Sequence, residues 1–482
     1  MLFNSYPFLF MFLPLTLIVY FLLNRFNYYN ASRLWLAVAS LFFYSYWDVH
    51  YLPLMMGSIV FNFLIGSSLT KTSEKPNAPR KGILIFGIIA NVSLLIYYKY
   101  ADFFITNINN ATGSEIALLK LVLPLGISFF TFTQIAYLVD AFRNQVKEYN
   151  FVNYVLFVTF FPHLIAGPIL HHKEMMPQFA DKENKRFNYT NVAAGVFIFV
   201  LGLFKKVVIA DSFAPIATQG FNGAASLGFI ESWVTSLSYT LQLYFDFSGY
   251  SDMAIGIALL FNVVLPINFD SPYKALSIQD FWRRWHMTLS RFLRDYIYIP
   301  LGGNRKGVFR TYFNLAATFI IGGIWHGAGW TFIVWGVMHG VGQVIHRLWG
   351  KLGLKMPKFV AWFITFNFIN ITWVFFRAEN MTQAFHVLKG MFGLHGMDLP
   401  SFFATRLNLG SLKSYGVEFV AVSPLKLLGI AAFLLVCFAL KNTNELRAEM
   451  KPRWVTAIML AALFVYSLLN FNQISEFLYF NF

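Results

Sequence analysis

Apolar runs close to a bilayer's thickness recur along nearly the whole chain, and this constrains the fold more than any single motif. A helix needs about 20 predominantly apolar residues to cross the hydrocarbon core. Candidate runs are Pro7–Leu23, Leu34–Tyr46, Leu52–Leu69, Ile83–Tyr98, Leu118–Val139, Phe151–Ile165, Val192–Ile209, Ile230–Phe247, Met253–Val264, Tyr312–Ile324, Thr331–Ile345, Phe359–Phe376, Leu427–Leu440 and Val455–Leu469. Leu34–Tyr46, Phe151–Ile165 and Met253–Val264 are short for a crossing and read as tilted, re-entrant or interfacial, which leaves about eleven crossings. Charged residues make up 12% of the chain, about half the density of a water-exposed surface. The predicted fold is an all-α, multi-pass integral membrane bundle, read as one membrane domain over residues 1–482.

The net charge of +15 sits in short loops between apolar runs, which points to the positive-inside rule and anionic head groups and away from nucleic acid. Most Lys and Arg fall in Lys71–Lys81, Arg143–Arg186, Asn268–Arg310 and Lys441–Arg453, while Asp102–Glu115 has none. The first set is therefore expected in the cytoplasm and the second outside. Lys205 and Lys206 interrupt a run, and are expected to snorkel or to line a polar cavity. Met1–Asn24 lacks a basic start and reads as a retained first helix. Cys437 is the single cysteine, so an intramolecular disulfide and thiolate metal chemistry are excluded. The segment Ala378–Ser423 is relatively polar and is expected outside, with short interfacial helices.

Chemistry concentrates between Tyr244 and Gly340. Asp246-Phe-Ser-Gly-Tyr-Ser-Asp252 places two carboxylates between apolar runs, where they must be paired, hydrated or near an interface. The segment is either a polar helix junction or the lining of an active-site cavity. Ser277-Ile-Gln-Asp280 is a helix-start signal, and Phe281, Trp285, Leu289, Phe292 and Tyr296 then fall on one helical face. Arg283, Arg284, Arg291 and Arg294 fill much of the remainder. They either anchor the helix to lipid or dock phosphates such as those of coenzyme A. His286 lies at the border of the apolar face.

Gly322-Gly-Ile-Trp325-His326-Gly-Ala-Gly-Trp330 sets four glycines around one histidine inside an apolar run. Glycine is costly in a helix and makes sense where backbone bends or a ligand comes close. A neutral imidazole there can act as a general base toward a hydroxyl. His339 follows thirteen residues on, roughly 220° around a continuous helix, so packing or a hydrogen bond is expected of it. The spacing 286–326–339 matches no short metal-ligand motif, and no metal is expected.

These segments resemble the membrane-bound O-acyltransferase family, most closely its bacterial alginate-acetylating subgroup. The resemblance is carried by Met1–Phe10, Leu123–Phe132, Phe161–Ile169, Asp246–Asp252, Asp280–Arg305 and Gly322–Gly340. It implies a catalytic core at roughly 118–350 and His326 as base, with His286 as its upstream partner. His339, Trp325, Asp246 and Asp252 are supporting candidates, and Arg283, Arg284, Arg291 and Arg294 are candidates for donor binding. It further implies acetyl-CoA as a co-substrate with no tightly bound cofactor, and membrane lipids around a bacterial inner-membrane protein. The acceptor would be an extracellular polysaccharide such as alginate, reached directly or through an SGNH-hydrolase-like partner. A transporter or flippase is the competing reading; it would show broken helices at matching places in two halves, and no internal repeat is found.

Overall fold

The computed structural model describes residues 1–73, 79–146, 148, 150–165, 167–223, 227–406, 413, 417–420, 422–471 and 478. Ala166, the middle of the loop Lys71–Lys81 and parts of Ala378–Ser423 lie outside these described residues. The chain is helical almost throughout, as an all-α membrane bundle requires. Among the described residues the strands are Met397–Pro400 and Val417–Val420, a parallel pair that the sequence did not announce.

Among the described residues, five helices are long and apolar enough to cross a membrane: Phe8–Arg25, Val49–Lys71, Arg80–Thr112, Tyr189–Asn222 and Lys358–Arg377. A sixth span results if Pro424–Ala439 and Thr443–Glu449, bent by 56°, are one. The expected count of about eleven is not reached on these grounds. Ile127–Phe142 and Trp454–Leu469 are shorter, and Val308–His326 and Trp330–Lys351 are diluted by inward-facing Asn314, Thr318, glycine and histidine. Of the run Leu118–Val139 only the part from Ile127 is helical, after Gly126 in the left-handed region (φ 67°).

The chain forms two compact units. The first comprises Met1–Leu203, Tyr250–Asn268 and Arg447–Phe471. In it the helices Leu52–Lys71 and Arg80–Leu95 are joined by Asn62 and Asn91. Each buried amide donates to the other's oxygen, at 3.0 and 2.7 Å. Between helices in lipid, such reciprocal pairs satisfy groups that hydrocarbon cannot.

The second unit contains Phe204–Gly249 and Phe269–Leu446. The helix Phe229–Leu260 begins here and ends in the first unit. Its 32 residues span about 48 Å at 1.5 Å per residue. The Asp398 carboxylate accepts the backbone N–H groups of Ile230 and Glu231 at 2.6 and 3.1 Å, capping the first turn from a distance in sequence. The expected separation of Ile230–Phe247 from Met253–Val264 does not occur: Asp246–Asp252 stays helical.

Pairing explains why Asp246 does not break the helix. Its carboxylate lies 2.7 Å from Lys206 Nζ, which also reaches Asp211 at 2.8 Å. Lys206 is 1% exposed, so it turns inward and does not snorkel. It lies on a π-helical turn, Lys205–Ala210, that follows Tyr189–Phe204.

Two further helices of this unit, Val308–His326 and Trp330–Lys351, form a hairpin whose backbones touch. A Cβ on Gly336 would lie 2.6 Å from Phe319 O, and one on Gly323 would lie 2.4 Å from Phe332 O. Only glycine permits this approach.

Gly336→Val is expected to open the seam and destabilise the protein by about 1–3 kcal/mol or more. Gly350→Ala, on the same helix with nothing within 4 Å of its Cβ position, leaves the melting temperature in detergent unchanged or raised. Lys206→Met strands two carboxylates and is expected to cost about 3–5 kcal/mol. Asp246→Asn leaves a neutral Lys206–Asp211 pair and costs less; equal losses in a thermal melt would refute the role of the lysine.

Candidate active site

His326 is the last residue of Val308–His326, followed by the turn Gly327-Ala-Gly329. Its imidazole is buried among aromatic rings: Trp325 at 4.9 Å, Phe376 at 5.0 Å and Trp335 at 5.1 Å, the last two near-perpendicular. Such a box excludes water, which strengthens any hydrogen bond the imidazole makes to a reacting hydroxyl.

The turn changes how the histidines relate. A continuous helix would have set His326 and His339 on different faces, but the chain reverses at Gly327–Gly329. Trp335 and His339, four apart on the second helix, then share a face. Trp335 lies against both imidazoles, at 5.1 Å from His326 and 4.5 Å from His339.

His339 is fully buried and hydrogen-bonded at both nitrogens. Trp282 Nε1 donates to its Nδ1 at 3.1 Å, and its Nε2 lies 3.1 Å from Thr372 Oγ1. Indole nitrogen only donates, so Nδ1 is the acceptor and Nε2 carries the proton. Thr372 in turn donates to Ile369 O at 2.8 Å. This fixed tautomer makes His339 a strut between three segments.

His286 departs from expectation in its backbone. The single amphipathic helix predicted from Phe281 to Tyr296 is broken into Ile278–Trp282, Met287–Leu293 and a π-helical turn, Arg294–Tyr298. The Ser277 cap holds, its Oγ accepting the Asp280 N–H at 3.1 Å. The break follows from Arg284: its guanidinium donates to the Asp280 carboxylate at 2.9 Å and to Asp270 O at 3.2 Å. Its own carbonyl accepts the Asp270 N–H at 2.9 Å. His286 is left with φ 43° and ψ 53°, an uncommon left-handed position for a non-glycine residue. Its ring is fully buried, edge-on to Phe247 at 4.7 Å and 6.4 Å from Trp325. Burial pushes this imidazole, which lies outside the spanning helices, down to about 3, so it is neutral at pH 7. Trp325 thus contacts His326 and neighbours His286.

Asp246 reaches this site only through the residue after it, Phe247, and is occupied by Lys206. Asp252 is buried in the first unit and is not among the groups that the second unit gathers around His326.

The arginines separate into two kinds. Arg284 is held by Asp280 and Asp270. Arg283 and Arg294 line a cavity of ≈ 500 Å³, Arg294 also pairing with Asp295 at 2.7 Å. Arg291 is half-buried and not among the lining residues. Arg305 and Arg347 bring the arginines of the lining to four, with no carboxylate in the lining. Trp282, the donor to His339, forms part of the wall and lies 5.8 Å from Trp335.

Sequence reasoning missed Trp335, Arg305 and Arg347. Trp335 lies inside the expected run Thr331–Ile345, but only the chain reversal at Gly327–Gly329 brings it against His326. Arg347 is 64 residues from Arg283 and carried no local signal. Among the described residues no three His, Cys, Asp or Glu side chains gather to hold a metal ion.

Comparison with known proteins identifies the family. The model of the MBOAT, membrane-bound O-acyltransferase family matches residues 7–382. The peptidoglycan O-acetyltransferase of Helicobacter pylori is 49% identical, over 100% of this chain and 98% of that protein. The probable alginate O-acetylase AlgI of Pseudomonas aeruginosa is 40% identical, over 90% of this chain and 82% of its own length. A teichoic acid D-alanyltransferase of Streptococcus thermophilus is 30% identical over 52% of this chain. A histidine boxed by aromatic rings at a helix end, inside a bundle of apolar helices, is therefore found in a chain that belongs to the membrane-bound O-acyltransferase family and is an O-acyltransferase.

Proposed function

We propose that this protein moves an acetyl group from cytoplasmic acetyl-CoA to a hydroxyl for O-acetylation of an extracytoplasmic glycan, in the bacterial inner membrane. The observation that carries the reading is His326, buried at the end of its helix and walled by three aromatic rings. Its imidazole takes the proton of the accepting hydroxyl as the oxygen attacks the thioester carbonyl. The tetrahedral intermediate then collapses, the C–S bond breaks, and the imidazolium returns the proton to the departing thiolate. His286, neutral and locked in place, positions the acyl group across Trp325.

Four arginines, of which among the described residues only Arg294 is paired with a carboxylate that lies outside the lining, suit the phosphates of coenzyme A, and Trp282 links their cavity to the ring cluster around His326. Similarity over the full length to a protein named peptidoglycan O-acetyltransferase supports peptidoglycan as the acceptor. An alginate-like polysaccharide is the second reading, supported by the 40% identity to an alginate O-acetylase. The hydroxyl attacked first belongs either to the glycan or to the serine of an SGNH-type partner.

His326→Ala, at wild-type folded level, is expected to lower glycan O-acetyl content by about 10²–10⁴-fold in rate. His339→Gln is expected to lower the melting temperature instead, while the folded fraction keeps its kcat. Undiminished acetylation by His326→Ala would refute the base. Replacing Arg283, Arg294, Arg305 and Arg347 together by Gln is expected to raise KM for acetyl-CoA with kcat little changed. An unchanged KM in detergent-solubilised enzyme would place the donor elsewhere.

A further inference from the structure

The first unit carries another cavity, a groove of ≈ 580 Å³, that none of the candidate site residues lines. Phe8–Arg25, Tyr189–Asn222 and Trp454–Leu469 form most of it, with Leu260 at the end of Phe229–Leu260. The last contributes Thr456, Ala457, Leu460, Ala461 and Phe464, a three-and-four spacing that keeps one face to the groove. From Arg453 to Phe464 that face runs about 17 Å at 1.5 Å per residue. The other walls are aliphatic or aromatic, and no carboxylate lines it. Arg453, exposed at the start of the same helix, is the charged residue of the lining.

A slot of this composition between two spans offers water few hydrogen-bonding partners, so its natural contents are hydrocarbon. The cation at one end adds a condition on the other end of the occupant. Arg453 closes the basic loop Lys441–Arg453, expected on the cytoplasmic side, where anionic head groups are attracted to Lys and Arg. The first backbone N–H groups of Trp454–Leu469 open toward the same place, and a helix start favours a phosphate. We propose that the groove holds one acyl chain of an anionic glycerophospholipid, with its head-group phosphate on Arg453.

The test uses the full chain, purified in mild detergent, with retained lipid identified by mass spectrometry. Wild-type protein is expected to retain phosphatidylglycerol in preference to phosphatidylethanolamine. Ala457→Trp and Ala461→Trp fill the groove and are expected to abolish retention. Arg453→Gln is expected to keep a lipid but to lose about fivefold in preference for the anionic head. Added phosphatidylglycerol should raise the melting temperature of the wild type and of neither Trp variant, a readout that stands even if a variant is less stable than its parent. Equal phosphatidylglycerol retention in wild-type and Trp variants would overturn the proposal. So would a groove occupied by a co-purifying polypeptide or a second copy, or a preference unchanged by Arg453→Gln.

Discussion

Backbone contact between two helices is the constraint from which the candidate site follows. Gly323 and Gly336 remove the side chains that would hold Val308–His326 and Trp330–Lys351 apart. The hairpin closes, and His326 is carried against Trp335. Neither helix is apolar enough to pass as an independent span. Their cohesion comes from close packing and inward polar groups, as expected where lipid provides no hydrophobic drive between helices.

Around that seam the three histidines divide by what surrounds them. His339 has both nitrogens engaged and its proton fixed on Nε2, which suits a strut. His286 is held by its backbone in a left-handed position, so its place depends on the turn that Arg284 ties to Asp270 and Asp280. His326 sits at a helix end, facing rings that constrain it sideways. A buried lysine between two carboxylates holds the long helix beneath Phe247, the ring that meets His286 edge-on.

Much of this was legible in the sequence because hydropathy and glycine placement are local signals. The membrane class, the helical fold, the cap at Ser277 and the prominence of His326 all rest on residues within a turn or two of each other. Other features rest on tertiary pairing, which periodicity does not report. Asp246 looked like a break because Lys206, forty residues earlier in the chain, supplies its counter-charge. The apolar face from Phe281 to Tyr296 is real as a spacing, yet the helix is cut by hydrogen bonds to Asp270. The four arginines were legible as a cluster but not as partners: Arg284 is spent on carboxylates, whereas Arg347 joins the cavity from another helix.

The hairpin seam also acts as a ruler. His326 ends one helix, and the glycines that set its distance from Trp335 lie on both, so one inserted or deleted residue between Val308 and Trp325 would rotate one partner by about 100°. Small faces would then meet large ones, and the imidazole would leave its box. Length variation among homologous chains should accordingly be found in the loop before Val308 or beyond Lys351, while the stretch between them keeps a fixed count even where its residues change.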